Sequence, residues 1–189
     1  MILMKDIISE GHESLTKIAK DVKMPLSKQD QKTLQLMLEY IKNSIDEEVC
    51  NRYGLRPSVG LAAPQINNLK RMLAVYSADE RDEKLHSYMM VNPKIISHSE
   101  ELTYLSTGEG CLSITREITG YVMRYKRITV ETYLLKENGT LEKVKLRLKG
   151  YMAIVVQHEI DHLNGILFTE RINPDNPFFV PKGTQPIVF

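Results

Sequence analysis

One stretch limits the possible folds more than any other. Tyr151, Met152, Ala153, Ile154, Val155 and Val156 lead directly into Gln157-His158-Glu159-Ile160-Asp161-His162, and Asn164-Gly165 follows. The apolar half is too short to cross a bilayer but suits a helix buried in a globular core. Asn164-Gly165 supplies its stop. At 3.6 residues per turn, His158 and His162 stand one turn apart on one face, so their imidazoles can converge on a single ion. Glu159 lies one step round the axis. Two nitrogen ligands beside a carboxylate that can take a proton from coordinated water make the HExxH pattern. A lone buried His is more often a hydrogen-bonded core residue. Two imidazoles and two carboxylates behind an apolar run, however, would be costly in a core without an ion to neutralise them.

Two histidines do not complete a catalytic centre, which normally takes three protein ligands and leaves one position for water. The metzincin pattern would place a His six residues after His162, where this chain has Phe168. Thermolysin-like enzymes use a Glu from a helix well downstream. Here Glu170 is too close and Asp175 lies in a Pro-rich tail. The third ligand therefore comes from upstream, from among Cys50, Cys111, His12, His86, His98 and the carboxylates. Cys111 lies in Gly108-Glu109-Gly110-Cys111-Leu112-Ser113, where glycines let the backbone bend sharply around a ligand, and a thiolate binds transition metals strongly. It is the preferred third ligand, ahead of a free nucleophile or an inert buried thiol. Cys50 reads as a small structural residue, and His86 and His98 read as exposed.

The rest of the chain frames this helix. With 189 residues, 42% of them apolar, the chain has enough material for a sizeable core. We expect one catalytic domain over 1–189, with an N-terminal helical segment over about 11–48 and an extended tail over about 172–189. Leu15, Ile18, Ala19 and Val22 suggest an amphipathic turn or two. Ser27 is expected to cap a stronger helix that carries Leu34, Met37, Leu38, Ile41 and Ile45 on one stripe to about Glu48. Strands are expected at Arg71 to Tyr76 and at Tyr88 to Ile96, where Pro93 marks an edge or a bulge. A charged connection runs from Ala78 to Lys84. Tyr121 to Leu135 and Leu141 to Lys149 alternate apolar and charged residues around Glu137-Asn138-Gly139, which reads as a hairpin with one wet face. Prolines exclude a regular helix in the tail, whose apolar end is expected to add a short strand to a sheet edge. The fold class expected is α+β, with antiparallel sheets packed around a central buried helix.

Twenty-five basic against twenty-four acidic residues leave a net charge of +1, so composition offers no argument for DNA or an anionic membrane. Two widely separated cysteines and an N-terminus unlike a secretory leader point to a reducing, cytoplasmic setting. One segment remains ambiguous. Ser58-Val59-Gly60-Leu61-Ala62-Ala63-Pro64-Gln65 reads either as a loop packed tightly on the core or as a strand edge that cradles substrate, with Gln65 as a donor aimed at the reacting centre.

Three segments together resemble the signature motifs of the peptide deformylase family, in that family's order. They are Gly60-Leu61-Ala62-Ala63-Pro64-Gln65, Glu109-Gly110-Cys111-Leu112-Ser113 and Gln157-His158-Glu159-Ile160-Asp161-His162. The long spacer between the first two, and the extended tail, resemble the Gram-positive (type 2) branch. Ser58 departs from the Gly usual at that position, and a local backbone adjustment without loss of activity is expected.

The resemblance implies a hydrolase that removes the formyl group from N-formylmethionine at the start of nascent chains, releasing formate. It implies one divalent metal ion held by Cys111, His158 and His162, iron(II) in the cell, with zinc, nickel or cobalt able to take its place. In that scheme metal-bound hydroxide attacks the formyl carbon, Glu159 is base and then acid, and Gln65 with the Leu112 N–H holds the oxyanion. The peptide lies along Val59-Gly60 and past Gly110, and its Met side chain enters a pocket that includes Tyr151, Ile154, Val155 and His158. Transient ribosome association, no DNA or membrane partner, and a monomer are also expected. Glu109 and Arg124 are expected to pair and brace the Cys111 loop. Asp161 is expected either to accept from a ligand imidazole or to face solvent. The competing readings are a zinc peptidase with an unusual Cys/His/His ligand set and a non-catalytic binder of formylated peptides.

Overall fold

The computed structural model describes residues 1–78 and 84–188. Ser27 accepts a hydrogen bond from the Asp30 N–H at 3.1 Å and begins α1 (Lys28–Ile45), whose Leu34, Met37, Leu38 and Ile41 form the expected buried stripe. The helix expected to reach about Glu48 stops earlier. Asp46 adopts extended backbone, and its carboxylate accepts from the Val49 N–H at 3.0 Å to cap a second helix, α2 (Glu47–Tyr53). A short acid that can satisfy orphan N–H groups favours a new start over continuation. Ile45, placed on the stripe by its spacing, is accordingly 48% exposed. The N-terminal helical segment is also shorter than expected, because the turns between Gly11 and Val22 reduce to one 3-10 turn at Glu13–Leu15. Beyond it the chain extends to bond elsewhere: Ala19 N–H donates to Leu163 O at 2.9 Å, and Lys20 bridges Lys70.

The strands are β1 (Gly60–Ala62), β2 (Met72–Ala78), β3 (Leu85–His98), β4 (Leu102–Leu105), β5 (Arg124–Tyr125), β6 (Arg127–Leu135), β7 (Leu141–Lys149) and β8 (Gln185–Ile187). A five-stranded sheet runs β1-β2-β3-β6-β7 with antiparallel neighbours, and a three-stranded sheet runs β5-β4-β8. Pro93 lies where the register of β3 against β6 shifts between Val91 and Lys94, the bulge its missing N–H predicts. The hairpin pairs continuously from Arg127↔Lys149 to Leu135↔Leu141. It is shorter at its start than the sequence suggested, because Arg124 and Tyr125 pair with β4 instead. The tail's apolar end adds β8 to an edge, parallel to β4. The connection expected from Ala78 to Lys84 falls, but for its ends, outside the described residues.

α3 (Gly150–Leu163) crosses one face of the larger sheet, where Met152, Val156 and Ile160 pack on Leu73, Val75, Met90, Val130 and Leu148. α1 covers the opposite face over β2 and β3, through contacts with Met72, Ala74, Met89 and Val91. Every residue of α3 except Tyr151 is buried, so its polar side chains must find partners inside the protein. The expected α+β arrangement of antiparallel sheets around a buried helix is the one observed, apart from the parallel β4–β8 pair.

Candidate metal centre

The helical period brings the His158 and His162 rings to 5.0 Å between centroids. The loop after β4 carries Cys111 over them, with Sγ 3.3 Å from His162 Nε2. One ligand atom each from Cys111, His158 and His162 lies within 4.8 Å of the others, and all three residues are buried. Sulfur with two imidazole nitrogens suits a transition-metal ion. His162 Nδ1 and Glu159 Oε2 are buried and lack a hydrogen-bond partner among the described residues. The donor set fits one ion. Burial, with the charge of His158 beside it, lowers His162 well below the usual histidine range, which keeps its imidazole in the neutral form a ligand needs.

The surrounding charges hold the ligands in place. Glu109 Oε2 lies 2.7 Å from His158 Nδ1, which leaves Nε2 of that ring free for coordination. Burial alone would lower His158, but hydrogen bonds to Cys111 and Glu109 outweigh it and raise the group well above its ordinary range. Arg124 grips Glu109 with two parallel bonds of 2.8 and 2.9 Å, the pair expected from sequence. Burial would raise the Glu109 carboxyl, yet the charge and hydrogen bonds of Arg124 outweigh it and hold it down at about 2. Asp161 does neither of the things expected of it. It is buried, and it accepts from Arg124 Nη1 at 2.5 Å and from Arg171 through two short bonds, with no imidazole among its partners. Both of its oxygens are taken by Arg124 and Arg171.

A pocket opens beside the cluster, lined among others by Val59, Gly60, Gln65, Gly110, Cys111, Leu112, Tyr151, Ile154, Val155, His158 and Glu159. His162, the remaining residue singled out from the sequence, lies beneath it, 1% exposed. Glu159 packs so closely on β1 that a Cβ on Gly60 would fall 2.8 Å from its Cδ and 2.9 Å from its Cγ. Burial raises the Glu159 carboxyl to about 7, a position from which it can both take and give a proton near neutrality. Gln65 accepts from the Ala62 N–H at 2.8 Å, and its Nε2 is 3.4 Å from Cys111 Sγ and 3.4 Å from Ser113 Oγ. The ambiguous segment is thus a strand edge that runs into the site. Ser58 Oγ donates there to Gly60 O at 2.7 Å.

Leu105 also lines the pocket, and sequence reasoning passed over it because nothing sets one strand leucine apart from another. Arg56 was missed as well. Its guanidinium donates to the carbonyls of Leu112 at 3.0 Å and of Cys111 and Ile114 at 3.3 Å each, clamping the loop that carries the thiol. Cys50 is remote from this cluster and donates to Leu55 O, as a structural thiol would. His98 is exposed, as expected, with its ring stacked on Tyr125.

The polypeptide deformylase family profile matches residues 4–177. Peptide deformylase 2 of Geobacillus stearothermophilus is 58% identical over 187 residues, 99% of each chain. Peptide deformylase 2 of Bacillus anthracis is 54% identical, again over 99% of each chain. Among solved structures, the Met-Ala-Ser-bound class I type b peptide deformylase of Acinetobacter baumannii superposes with a TM-score of 0.65 at 32% identity, covering 88% of this chain and 96% of that one. The peptide deformylase of Thermotoga maritima gives 0.64 at 33% identity, over 89% and 97%. The three motifs, the convergence of their side chains and these matches along nearly the whole length agree, and the chain belongs to the polypeptide deformylase family, in its Gram-positive-like branch.

Proposed function

We propose that this chain is a metal-dependent hydrolase that removes the N-formyl group from the N-terminal formylmethionine of nascent polypeptides and releases formate. The observation that carries this reading is the buried convergence of Cys111, His158 and His162 below a pocket into which Glu159 faces. Cys111, His158 and His162 would hold one divalent ion, iron(II) by resemblance to the family, with zinc, nickel or cobalt as substitutes. Such an ion supplies a Lewis acid that polarises a carbonyl and acidifies water in contact with it.

The residues of this chain do the rest. β1 is the edge strand of its sheet, so an extended peptide can add beside Val59-Gly60 and past Gly110 as a further strand. Tyr151, Ile154 and Val155 offer apolar wall to a thioether side chain, which gains mainly by burial. A relative has been solved with Met-Ala-Ser bound, which fits a Met-first peptide in the same groove. Glu159 takes a proton from the attacking water and delivers it to the departing amine nitrogen. Gln65 Nε2 and the Leu112 N–H hold the oxyanion that develops on the formyl carbon's oxygen, and loss of one such donor typically lowers turnover by about 10²–10³. Glu109, braced by Arg124, fixes the His158 ring. We propose that 1–189 works as one catalytic domain and acts as a monomer in the cytoplasm, meeting nascent chains by transient association with the ribosome. No helix among the described residues is long and apolar enough to cross a membrane.

Formate release from formyl-Met-Ala, measured beside cleavage of internal peptide bonds, tests the reaction. The expected result is formate release with internal bonds intact, lost in Glu159→Ala while the metal stays bound. Internal cleavage, or a Glu159→Ala variant with unchanged turnover, would overturn the proposal.

A further inference from the structure

The β6–β7 end of the larger sheet has one face without a covering layer. α3 packs on the side of Ile128, Val130, Val144, Leu146 and Leu148, and on the other side the cluster under α1 covers β1 to β3 and reaches the hairpin at its turn end, through Tyr133, Leu135 and Leu141. On that open side the register brings Arg127 opposite Lys149, Thr129 opposite Arg147, Glu131 opposite Lys145 and Tyr133 opposite Lys143, with Lys94 of β3 beside Glu131. Alternation therefore places Lys94, Arg127, Lys143, Lys145, Arg147 and Lys149 on one surface. Glu131 answers Lys143 at 3.2 Å and Lys145 at 3.9 Å, and Glu101 answers Arg127. Lys94, Arg147 and Lys149 have no ion pair among the described residues. This excess of positive charge sits on one face of a chain whose net charge is only +1, so the cations are gathered there, not spread evenly.

We infer that this face docks the phosphate backbone of RNA. Alternate residues of a strand are roughly 6.6–6.8 Å apart, so the β7 cations form a straight row that can follow a chain of phosphates. A groove beside the row has Ser97 and Thr129 in its lining, whose hydroxyls can donate to phosphate oxygens, between Arg127 and Arg147. A lipid surface fits less well, since the exposed side chains that alternate along β7, Lys143, Lys145 and Arg147, are cations with no apolar residue among them to enter an acyl layer. The choice of RNA over other polyanions rests on the proposed function, because nascent formylated chains emerge from an RNA-rich machine.

The test uses metal-loaded protein and a fluorescent single-stranded RNA, with phosphatidylserine vesicles and polyglutamate as competing probes. Four phosphate contacts predict a slope of log K against log salt of about −3. Lys145→Thr/Arg147→Thr keeps residues that favour strands, and it should weaken RNA binding tenfold or more at low salt and flatten the slope by about 1.4. Formate release from formyl-Met-Ala should be the same in both proteins. RNA binding of equal strength and slope in both would overturn the inference, as would vesicles or polyglutamate binding as tightly as RNA. Intact formate release without RNA binding would refute the docking face alone, whereas RNA binding without formate release would refute the proposed reaction.

Discussion

Gly60→Ala is the most economical probe of how the general base is held. The added Cβ would stand 2.8 Å from Glu159 Cδ and 2.9 Å from Cγ, whereas unstrained carbon atoms sit roughly 3.5–4.0 Å apart. Something must therefore yield by about 0.6–1.2 Å. β1 cannot retreat easily, since it is tied to β2 from Gly60↔Val75 to Ala62↔Leu73, and Glu159 is rooted in a buried helix. The carboxylate is the softer partner and should be displaced. A shift of about 1 Å in a reacting group costs on the order of 10² in rate, or about 2.7 kcal/mol of transition-state stabilisation. Overpacking a filled core costs about 1–3 kcal/mol of stability, which for a chain of this size lowers Tm by roughly 2–4 °C per kcal/mol. The assay pairs kcat/KM for formyl-Met-Ala with calorimetry and metal analysis. Metal content should not change, because no ligand moves. Glu159→Asp removes one methylene, so in the double variant stability should recover while activity stays low. If Gly60→Ala keeps full kcat/KM and Tm, or if the two substitutions show no energetic coupling, the steric argument is wrong.

Arg56→Ala removes donors to three loop carbonyls and should lower stability by about 2 kcal/mol and kcat roughly tenfold, read by urea unfolding and formate release with the metal retained. Arg56→Lys should not rescue it, since one ammonium cannot reproduce the planar fork. Asp161→Asn leaves Arg124 buried with half of its counter-charge gone and should cost about 3 kcal/mol in the same unfolding measurement; a near-neutral result would remove Asp161 from the supporting network. Stripping the ion with a chelator should abolish formate release and lower Tm, and adding back a divalent ion at about 100 times its Kd should restore about 2.7 kcal/mol.

What the sequence made legible was what is encoded at short, fixed offsets. His158, Glu159 and His162 declare themselves because a helix turns a four-residue spacing into a shared face, and Pro93 declares a bulge because it lacks an N–H. Cys111 could be chosen because few upstream residues are soft ligands, and it directly follows Gly108-Glu109-Gly110. Contacts between distant segments left weaker traces. Asp161 was misjudged because its partners, Arg124 and Arg171, come from a strand and from the 3-10 turn at Phe168–Arg171, and neither could be tied to it by spacing. Arg56 escaped notice because three carbonyls, which carry no side-chain signature, are what it binds. The break at Asp46 was lost because the apolar spacing continues through Ile45 while the capping carboxylate acts on the backbone beyond it. β4 and β5 are four and two residues long, too short for alternation to be counted.

The most direct test of the account is a crystal of the anaerobically prepared, metal-loaded protein measured at the absorption edge of its ion. A single anomalous peak is predicted, with Cys111 Sγ at about 2.3 Å and one nitrogen each of His158 and His162 at about 2.0–2.1 Å. An ion bound elsewhere, or one that leaves out the Cys111 thiolate, would contradict the account.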